Sequence, residues 1–256
     1  MRETVDVIIP NYNEYENLCI AIDSCLNQDA GISSIIIIDD GSSKEIQKKL
    51  SERWGSNSKI RFYFNGHSGL PGLCREAGVN NSDADWIAFL DSDDYWNQEK
   101  ISKQLQAAKE MDAVFIATNA VKLLGADEVG NVFDSLPPRL SFARAVQSNF
   151  IINSSVLVKR KVLSEEFSYA TSHNVRAVED YATWLRILTK YDCLLLNESL
   201  TFYRESLGSI RKGILGDPRG HAFADFLTWS KIEQNRTGKD LQVHRNLILE
   251  QIALDS

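Results

Sequence analysis

No apolar run in this sequence approaches the roughly 20 residues that a membrane-spanning helix needs. No Gly-x-Gly-x-x-Gly follows the first strand-like segment, and no Gly-Lys-Ser/Thr phosphate loop occurs, which sets aside the common nucleotide-binding signatures. Basic charge is in deficit. The 28 Lys and Arg stand against 35 Asp and Glu, a net charge of −7, whereas a nucleic-acid backbone selects a basic surplus. Cysteine is scarce as well: Cys19, Cys25, Cys74 and Cys193 form no Cys-x-x-Cys pair and fit no zinc spacing, as expected of buried thiols in a reducing compartment. Strand-like sequence from Val5 onward leaves no room for a signal peptide. The expectation is a soluble, cytoplasmic chain without a nucleic-acid partner.

What is present has the length and composition of a globular domain: 256 residues, of which 43% are hydrophobic and 25% charged. Its first half alternates two periods. "VDVIIP" reads as a strand, and Tyr15, Leu18, Cys19, Ile22 and Leu26 then share a helical face. "SIIIID" is a strand too continuously apolar to have a wet face, so helices are expected on both sides of it. Ser42 with Glu45 fits a capping box that opens a helix towards Leu50. "IRFYF" and "WIAFL" follow as strands, then a helix from about Gln98 to Met111 and the strand "AVFIA". Such alternation predicts a doubly wound α/β fold with a mostly parallel sheet. After residue 118 the pattern loosens into a hairpin region, the strand "SSVLVKR", the helix "EDYATWLRILTK", two short strands "CLLLN" and "LTFYR", and two terminal helical stretches.

Two of these strands end in carboxylates: Asp39 and Asp40 after one, Asp91, Asp93 and Asp94 after the other. In open α/β sheets ligands bind beyond the carboxyl ends of the strands. Extended backbone would put Asp91 and Asp93 on the same side, where they repel unless a cation lies between them. Hard divalent ions take oxygen ligands and bridge to substrate phosphates, so the pattern points to a metal-dependent site for a phosphorylated ligand. Asp residues also make turns and cap helices, which accounts for Asp94 or Asp40 alone but not for all five.

The segments "VDVIIPNYNEYENL", "IIIIDDGSS", "WIAFLDSDDYW", "NSSVLVKRKVL" and "VEDYATWLRI" together resemble a family 2 glycosyltransferase with the GT-A fold, over roughly residues 4–210. The resemblance implies a Rossmann-like sheet with helices on both faces that binds a nucleotide-diphosphate sugar, usually a UDP-sugar. It implies that Pro10, Tyr12, Glu14, Asp40, Arg75, Asp91 and Ser92 bind the donor, with Pro10 and Tyr12 flanking the base and Asp40 on the base or ribose. Asp93 would be the direct ligand of Mn²⁺ or Mg²⁺, and Asp180 the general base of an inverting transfer. Tyr203, Arg204 and Ser209 match a late loop that closes over the diphosphate, with Arg211 and Lys212 beside it. Trp96 is a candidate wall of the acceptor pocket, whereas Trp184 falls on an apolar helix face and reads as core. Glu179 reads as an acidic residue suited to a helix start. His67, His173, His221 and His244 lack metal-like spacing, and a solvated role is preferred for His221 over late metal ligation.

The resemblance implies a GT-A domain over 1–210, divided into a nucleotide-binding half (1–117) and an acceptor-binding half (118–210), with a C-terminal helical extension over 211–256. Its usual setting is bacterial surface polysaccharide synthesis, lipopolysaccharide included, with a glycan or lipid-linked acceptor. Peripheral contact with the inner face of the cytoplasmic membrane would then involve Leu247, Ile248, Ile252 and Leu254. There are departures from the family pattern. The loop 69–78 is one residue longer, Glu76 replaces an asparagine, and no Gly-Gly-Phe stands in "SEEFSYATSHNVRA". The absence of Gln-x-x-Arg-Trp argues against a processive membrane-embedded synthase. A haloacid dehalogenase-like phosphatase, a sugar nucleotidyltransferase and a non-catalytic nucleotide-sugar-binding assembly subunit remain as alternatives.

Overall fold

The computed structural model describes residues 3–125, 127–205 and 218–255. Strands β1 (Val5–Asn11), β2 (Ser34–Asp39), β3 (Ile60–Phe64) and β4 (Trp86–Phe89) pair in parallel in the order β3-β2-β1-β4. Period-2 alternation sends Val5, Val7 and Ile9 to one face and Ile8 to the other. On the first face they meet Leu18 and Ile22 of α1 (Glu16–Leu26) and Ile101 of α4 (Lys100–Met111). On the second, Ile8, Ile87 and Phe89 meet Val79 of α3 (Pro71–Asn80) and Trp184 of α6 (Glu179–Leu188). Each such aliphatic side chain, removed from water, contributes about 1.5–3 kcal/mol.

Beyond β4 the sheet becomes mixed. Short β9 (Leu157–Lys159) runs antiparallel between β4 and β6 (Phe115–Leu124), and β10 (Cys193–Arg204) then lies parallel to β6. The first four strands are all parallel; beyond them β9 and the short strands Tyr95–Trp96, Asp127–Asn131 and Arg139–Leu140 pair antiparallel with their neighbours. Four local expectations change. "CLLLN" and "LTFYR" are one strand, β10, with register shifts between Leu196 and Thr201 in place of a break. The cap of α2 (Lys44–Trp54) is Ser43, whose Oγ accepts from Ile46 N, while Ser42 is buried and accepts from Asn13 N at 2.7 Å. The segment 69–78 is largely helical, because Pro71 starts α3 with a preset φ. Residues 91–94 form a turn closed by Asp94 N donating to Asp91 O at 3.1 Å, not a continued strand.

Helix α6 is buried along its whole length rather than on one face. The sheet covers one side, and α5 (Phe142–Gln147) and α7 (Pro218–Thr237) cover the rest. Phe223 and Phe226 of α7 and Ile248 of α8 (Gln242–Asp255) join the same core. Ile248 is thus buried and Leu247 packs inward, while Ile252 and Leu254 are exposed. Among the described residues, no helix is long and apolar enough to cross a membrane.

Helix α3 approaches the 170 segment so closely that position 72 admits only glycine: a Cβ there would lie 2.4 Å from Ala170 O and 3.1 Å from Glu179 Cγ. Gly66, by contrast, has nothing within 4 Å of that position. Gly72→Ala is expected to lower the unfolding free energy by about 1–3 kcal/mol in urea titrations. Gly66→Ala is expected to stay within about 0.5 kcal/mol. Equal effects would contradict the packing account.

Candidate functional site

The carboxyl ends of β1, β2 and β4 open into a cleft of about 770 Å³. Of the five strand-end aspartates, Asp40, Asp91 and Asp93 line it, whereas Asp39 and Asp94 turn inward as braces. Asp39 accepts from Ser42 N at 2.9 Å, Gln47 Nε2 at 3.0 Å and Asn11 Nδ2 at 3.0 Å, which locks the turn after β2. Asp94 accepts from Ser154 Oγ at 2.6 Å and Arg204 N at 2.8 Å. Burial, with the nearby charges of Asp93 and Asp91, pushes its carboxyl well above the usual range. Arg204 holds the same turn through Nε to Asp93 O at 3.1 Å.

At the end of β2, Asp40 accepts from Ser68 N, Ser68 Oγ and Gly69 N at 2.7–2.8 Å, so its orientation is fixed by the chain that leads into α3. His67 Nδ1 lies 2.9 Å from Asp40 O and 3.0 Å from its carboxylate. The His67 ring stacks on Tyr12 at 4.2 Å between centroids. Tyr12 is 47% exposed, so this pair presents an aromatic platform at the cleft mouth beside Pro10. Histidine spacing gave no sign of this, since the partner is a tyrosine 55 positions away in the chain.

The two sides of the cleft are joined by Arg75. This arginine is 5% exposed and lies between Asp91 (Nη2 to Oδ1, 2.6 Å) and Glu179 (Nη1 to Oε1, 2.5 Å). Asn153 Nδ2 also donates to Asp91 Oδ1, at 2.9 Å, and Tyr169 Oη donates to Asn153 Oδ1 at 3.1 Å. Burial pushes the Tyr169 phenol well upward and keeps it a donor. Glu179 is therefore more than an acidic helix start. Burial raises its carboxyl, the Arg75 charge opposes that rise, and its Oε2 is buried without a partner among the described residues. The pairing places Asp180, 7% exposed at the start of α6, in the same cleft as Asp91 and Asp93. Ala177, just upstream, holds φ +66, a conformation that costs a non-glycine residue roughly 1 kcal/mol and that clusters at functional positions.

Glu14, Ser92, Tyr203 and Arg204 line the cleft as expected, opposite Val132, Phe133, Ile151 and Ile152. Ser209, Arg211 and Lys212 lie outside the described residues. Trp96 is not a pocket wall: it is 4% exposed, packs among α1 and α4 side chains, and donates from Nε1 to Ser154 O at 2.7 Å. Trp184 is core, fully buried against Phe89 and Phe115. His221 does not line the cleft.

Among the described residues, no three His, Cys, Asp or Glu side chains converge to cage a metal. The oxygen donors present nonetheless suit a hard divalent ion that keeps water and substrate phosphate as its other ligands. Asp93 is pushed up to about 6 by burial, with the Asp91 and Glu14 charges adding to it, an excess of negative charge that a cation would relieve.

A family model described as glycosyl transferase family 2 matches residues 6–167, more than half of the chain. The chain is 27% identical over 204 residues to the Bacillus subtilis protein named putative teichuronic acid biosynthesis glycosyltransferase TuaG, covering 79% of each. It is 30% identical over 211 residues to Escherichia coli WfaP, named as a UDP-Glc:alpha-D-GlcNAc-diphosphoundecaprenol beta-1,3-glucosyltransferase, covering 81% of this chain and 80% of that one. An uncharacterized glycosyltransferase of Rickettsia felis is 30% identical over 209 residues, but the match spans only 33% of its length. In fold, the chain matches S. aureus TarS 1–349 in complex with UDP-GlcNAc with a TM-score of 0.76 at 16% identity, over 97% of this chain and 71% of that one.

Two outcomes test the electrostatics. Asp93 is raised from its ordinary 3.8 to about 6, so its contribution to stability is present below pH 3.8 and lost as pH rises through 6. In metal-free buffer above pH 6, Asp93→Asn is expected to be more stable than the parent by on the order of 2–3 kcal/mol. That gain should vanish below about pH 4 in urea titrations at stepped pH, and a pH-independent difference would refute the assignment. Arg75→Met strands two carboxylates and is expected to cost about 3–5 kcal/mol, much of it recovered by adding Glu179→Gln. A double-mutant cycle with no coupling would deny the bridge.

Proposed function

The chain belongs to glycosyl transferase family 2, and from that premise we propose that it transfers a sugar from a UDP-sugar to a hydroxyl of a glycan or lipid-linked acceptor, with inversion, in the assembly of a bacterial surface polysaccharide. The observation that carries this reading is the Arg75 bridge, which sets the Asp180 helix across one cleft from the turn containing Asp91 and Asp93. The names of WfaP and of WfgD, a second Escherichia coli relative at 26% identity, specify UDP-Glc and a diphosphoundecaprenol-linked GlcNAc, which supports a nucleotide-sugar donor and a lipid-linked acceptor. Family membership leaves the phosphatase and nucleotidyltransferase alternatives without support.

A sugar hydroxyl is a weak nucleophile near neutral pH, so its proton must pass to a base as the new bond forms. Asp180, in the first turn of α6 and on the wall of the cleft, is that base. The acceptor oxygen forms a bond to the anomeric carbon on the face opposite the leaving group. The carbon–oxygen bond to the diphosphate breaks with its electron pair on the nucleotide, and the proton rests on Asp180. Tyr12 and His67 take the base on their stacked platform, and Asp40 accepts from the nucleoside. Asp93, with oxygens of Asp91 and Glu14 nearby, would hold Mn²⁺ or Mg²⁺, which when bound offsets the charge gathering on the diphosphate. Val132, Phe133, Ile151 and Ile152 form the apolar acceptor side. A lipid-linked acceptor would bring the chain to the inner face of the membrane, with Ile252 and Leu254 of α8 exposed towards it.

Calorimetric titration of UDP, GDP, dTDP and CDP, with and without Mn²⁺, tests the donor class. UDP binding that requires Mn²⁺ and is lost in Asp93→Ala is expected. Asp180→Asn should keep that binding while turnover falls about 10²–10⁴-fold. Undiminished turnover in Asp180→Asn would remove the proposed base, and nucleotide binding without any turnover in the parent would mark a non-catalytic binding subunit.

A further inference from the structure

A second cavity, of about 410 Å³, lies between α3 and α7. That size is within the range of small-molecule sites. Helix α3 is a wall shared with the cleft: Arg75 faces the cleft, and Glu76, the next residue, lines this cavity. Tyr169 lines it too and reaches the cleft through its hydroxyl bond to Asn153 and through its ring, 5.8 Å from the Arg75 guanidinium. The opposite wall is Trp229 of α7, half-buried, with Phe167 6.2 Å from it between ring centroids. Ile232, 62% exposed, stands at the mouth.

The polar groups are arranged for a neutral ligand. Glu233 is taken by Arg236 through two bonds of 3.0 Å, and Arg186, near Trp229, is taken by Asp225 at 2.6 Å. One carboxylate is left over. Glu76 makes no hydrogen bond or ion pair among the described residues; burial raises its carboxyl, and the charge of Arg186 opposes that rise without pairing with it. The indole N–H of Trp229 likewise has no hydrogen-bond partner among them. Asn80 and Ser168 add further donors and acceptors. Aromatic faces that accept C–H groups, beside a free carboxylate, an amide and an unused N–H, suit a compact molecule with apolar faces and a rim of hydroxyls. A fatty chain would strand the polar groups, and an anion would meet Glu76.

We infer that this cavity is a second carbohydrate site, which holds a pyranose unit against Trp229 with its hydroxyls on Glu76, outside the catalytic cleft. A site of this kind lets a transferase hold a glycan at a distance from the residue being extended. The choice of ligand class rests on the transferase reading, whereas the cavity and its free polar groups do not.

The test is a two-dimensional ¹H–¹⁵N spectrum of the whole chain, following the indole N–H resonances during titration with cellobiose and with N,N′-diacetylchitobiose. The spectra are taken with and without saturating UDP and Mn²⁺, and Trp229→Phe identifies the resonance. A saturable shift of the Trp229 signal by at least one disaccharide, unchanged by UDP, is expected. Glu76→Gln should weaken it roughly tenfold and leave UDP binding as it was. No saturable shift with either disaccharide up to tens of millimolar overturns the inference, as does a shift that UDP competes away. Turnover is measured separately on the same protein. Disaccharide binding at Trp229 without turnover would break the transfer reading alone, and turnover without that binding would break this one alone.

Discussion

One buried guanidinium organises this molecule. Arg75 comes from α3, Asp91 from the turn after β4, and Glu179 from α6, and the three have no common element beyond the bridge. Arg75 and Glu179 are both buried, and either charge left without its partner would cost several kcal/mol, while Asp91 ties the pair to the cleft. With them in place, α6 is fixed in depth and rotation against the sheet, and Asp180, next to Glu179, is held with it. The absence of a side chain at Gly72 lets α3 come near enough to make the bridge. Packing and electrostatics thus depend on the same approach of α3 to the 170 segment.

A second layer of polar residues holds the cleft without entering it. Asp39 ties together the turn after β2, and Asp94 ties the Asp91–Asp94 turn to Ser154 and to the end of β10. These bonds are made within the protein, so the carboxylates that line the cleft are presented in position before any ligand arrives. Preorganisation of this kind spares a site the reorganisation cost at the moment of reaction. It also leaves like charges close together: burial raises Asp93, and the charges of Asp91 and Glu14 add to the rise. The molecule accepts that strain at the one point where a cation would remove it.

The sheet explains why the two sides of the cleft differ. Its parallel half ends in turns rich in polar groups, while the mixed half, where β9 runs antiparallel, contributes the apolar wall of Ile151, Ile152 and Phe133. Helix α7 closes the far side of α6 and in doing so forms the cavity lined by Trp229 and Glu76. The cleft and that cavity are two sides of the same helix, α3.

Much of this was legible in the residues. "VDVIIP" reads as a strand and the unbroken apolar run of "SIIIID" as one covered on both sides, and β1 and β2 are those strands with both faces buried. The family motifs bring Asp91, Asp93 and Asp180 to attention in order along the chain, and the cleft gathers all three. Such signals are local, and local backbone preference survives folding. What failed depended on partners distant in sequence. Arg75 and Glu179 are 104 positions apart, so neither a helix-surface arginine nor an acidic helix start announces a buried pair. Trp96, a candidate pocket wall in one dimension, follows a turn that reverses the chain and sends it into the core. Ser42 and Ser43 are equally good caps in one dimension, and the neighbouring Asn13, Asn11 and Asp39 draw Ser42 inward. By itself the sequence determined which segments are strands and helices and which carboxylates end them, because side-chain period and turn chemistry act over a few residues. Tertiary structure alone decided which of those carboxylates face the cleft and which brace it, because burial and pairing are set by whatever packs alongside.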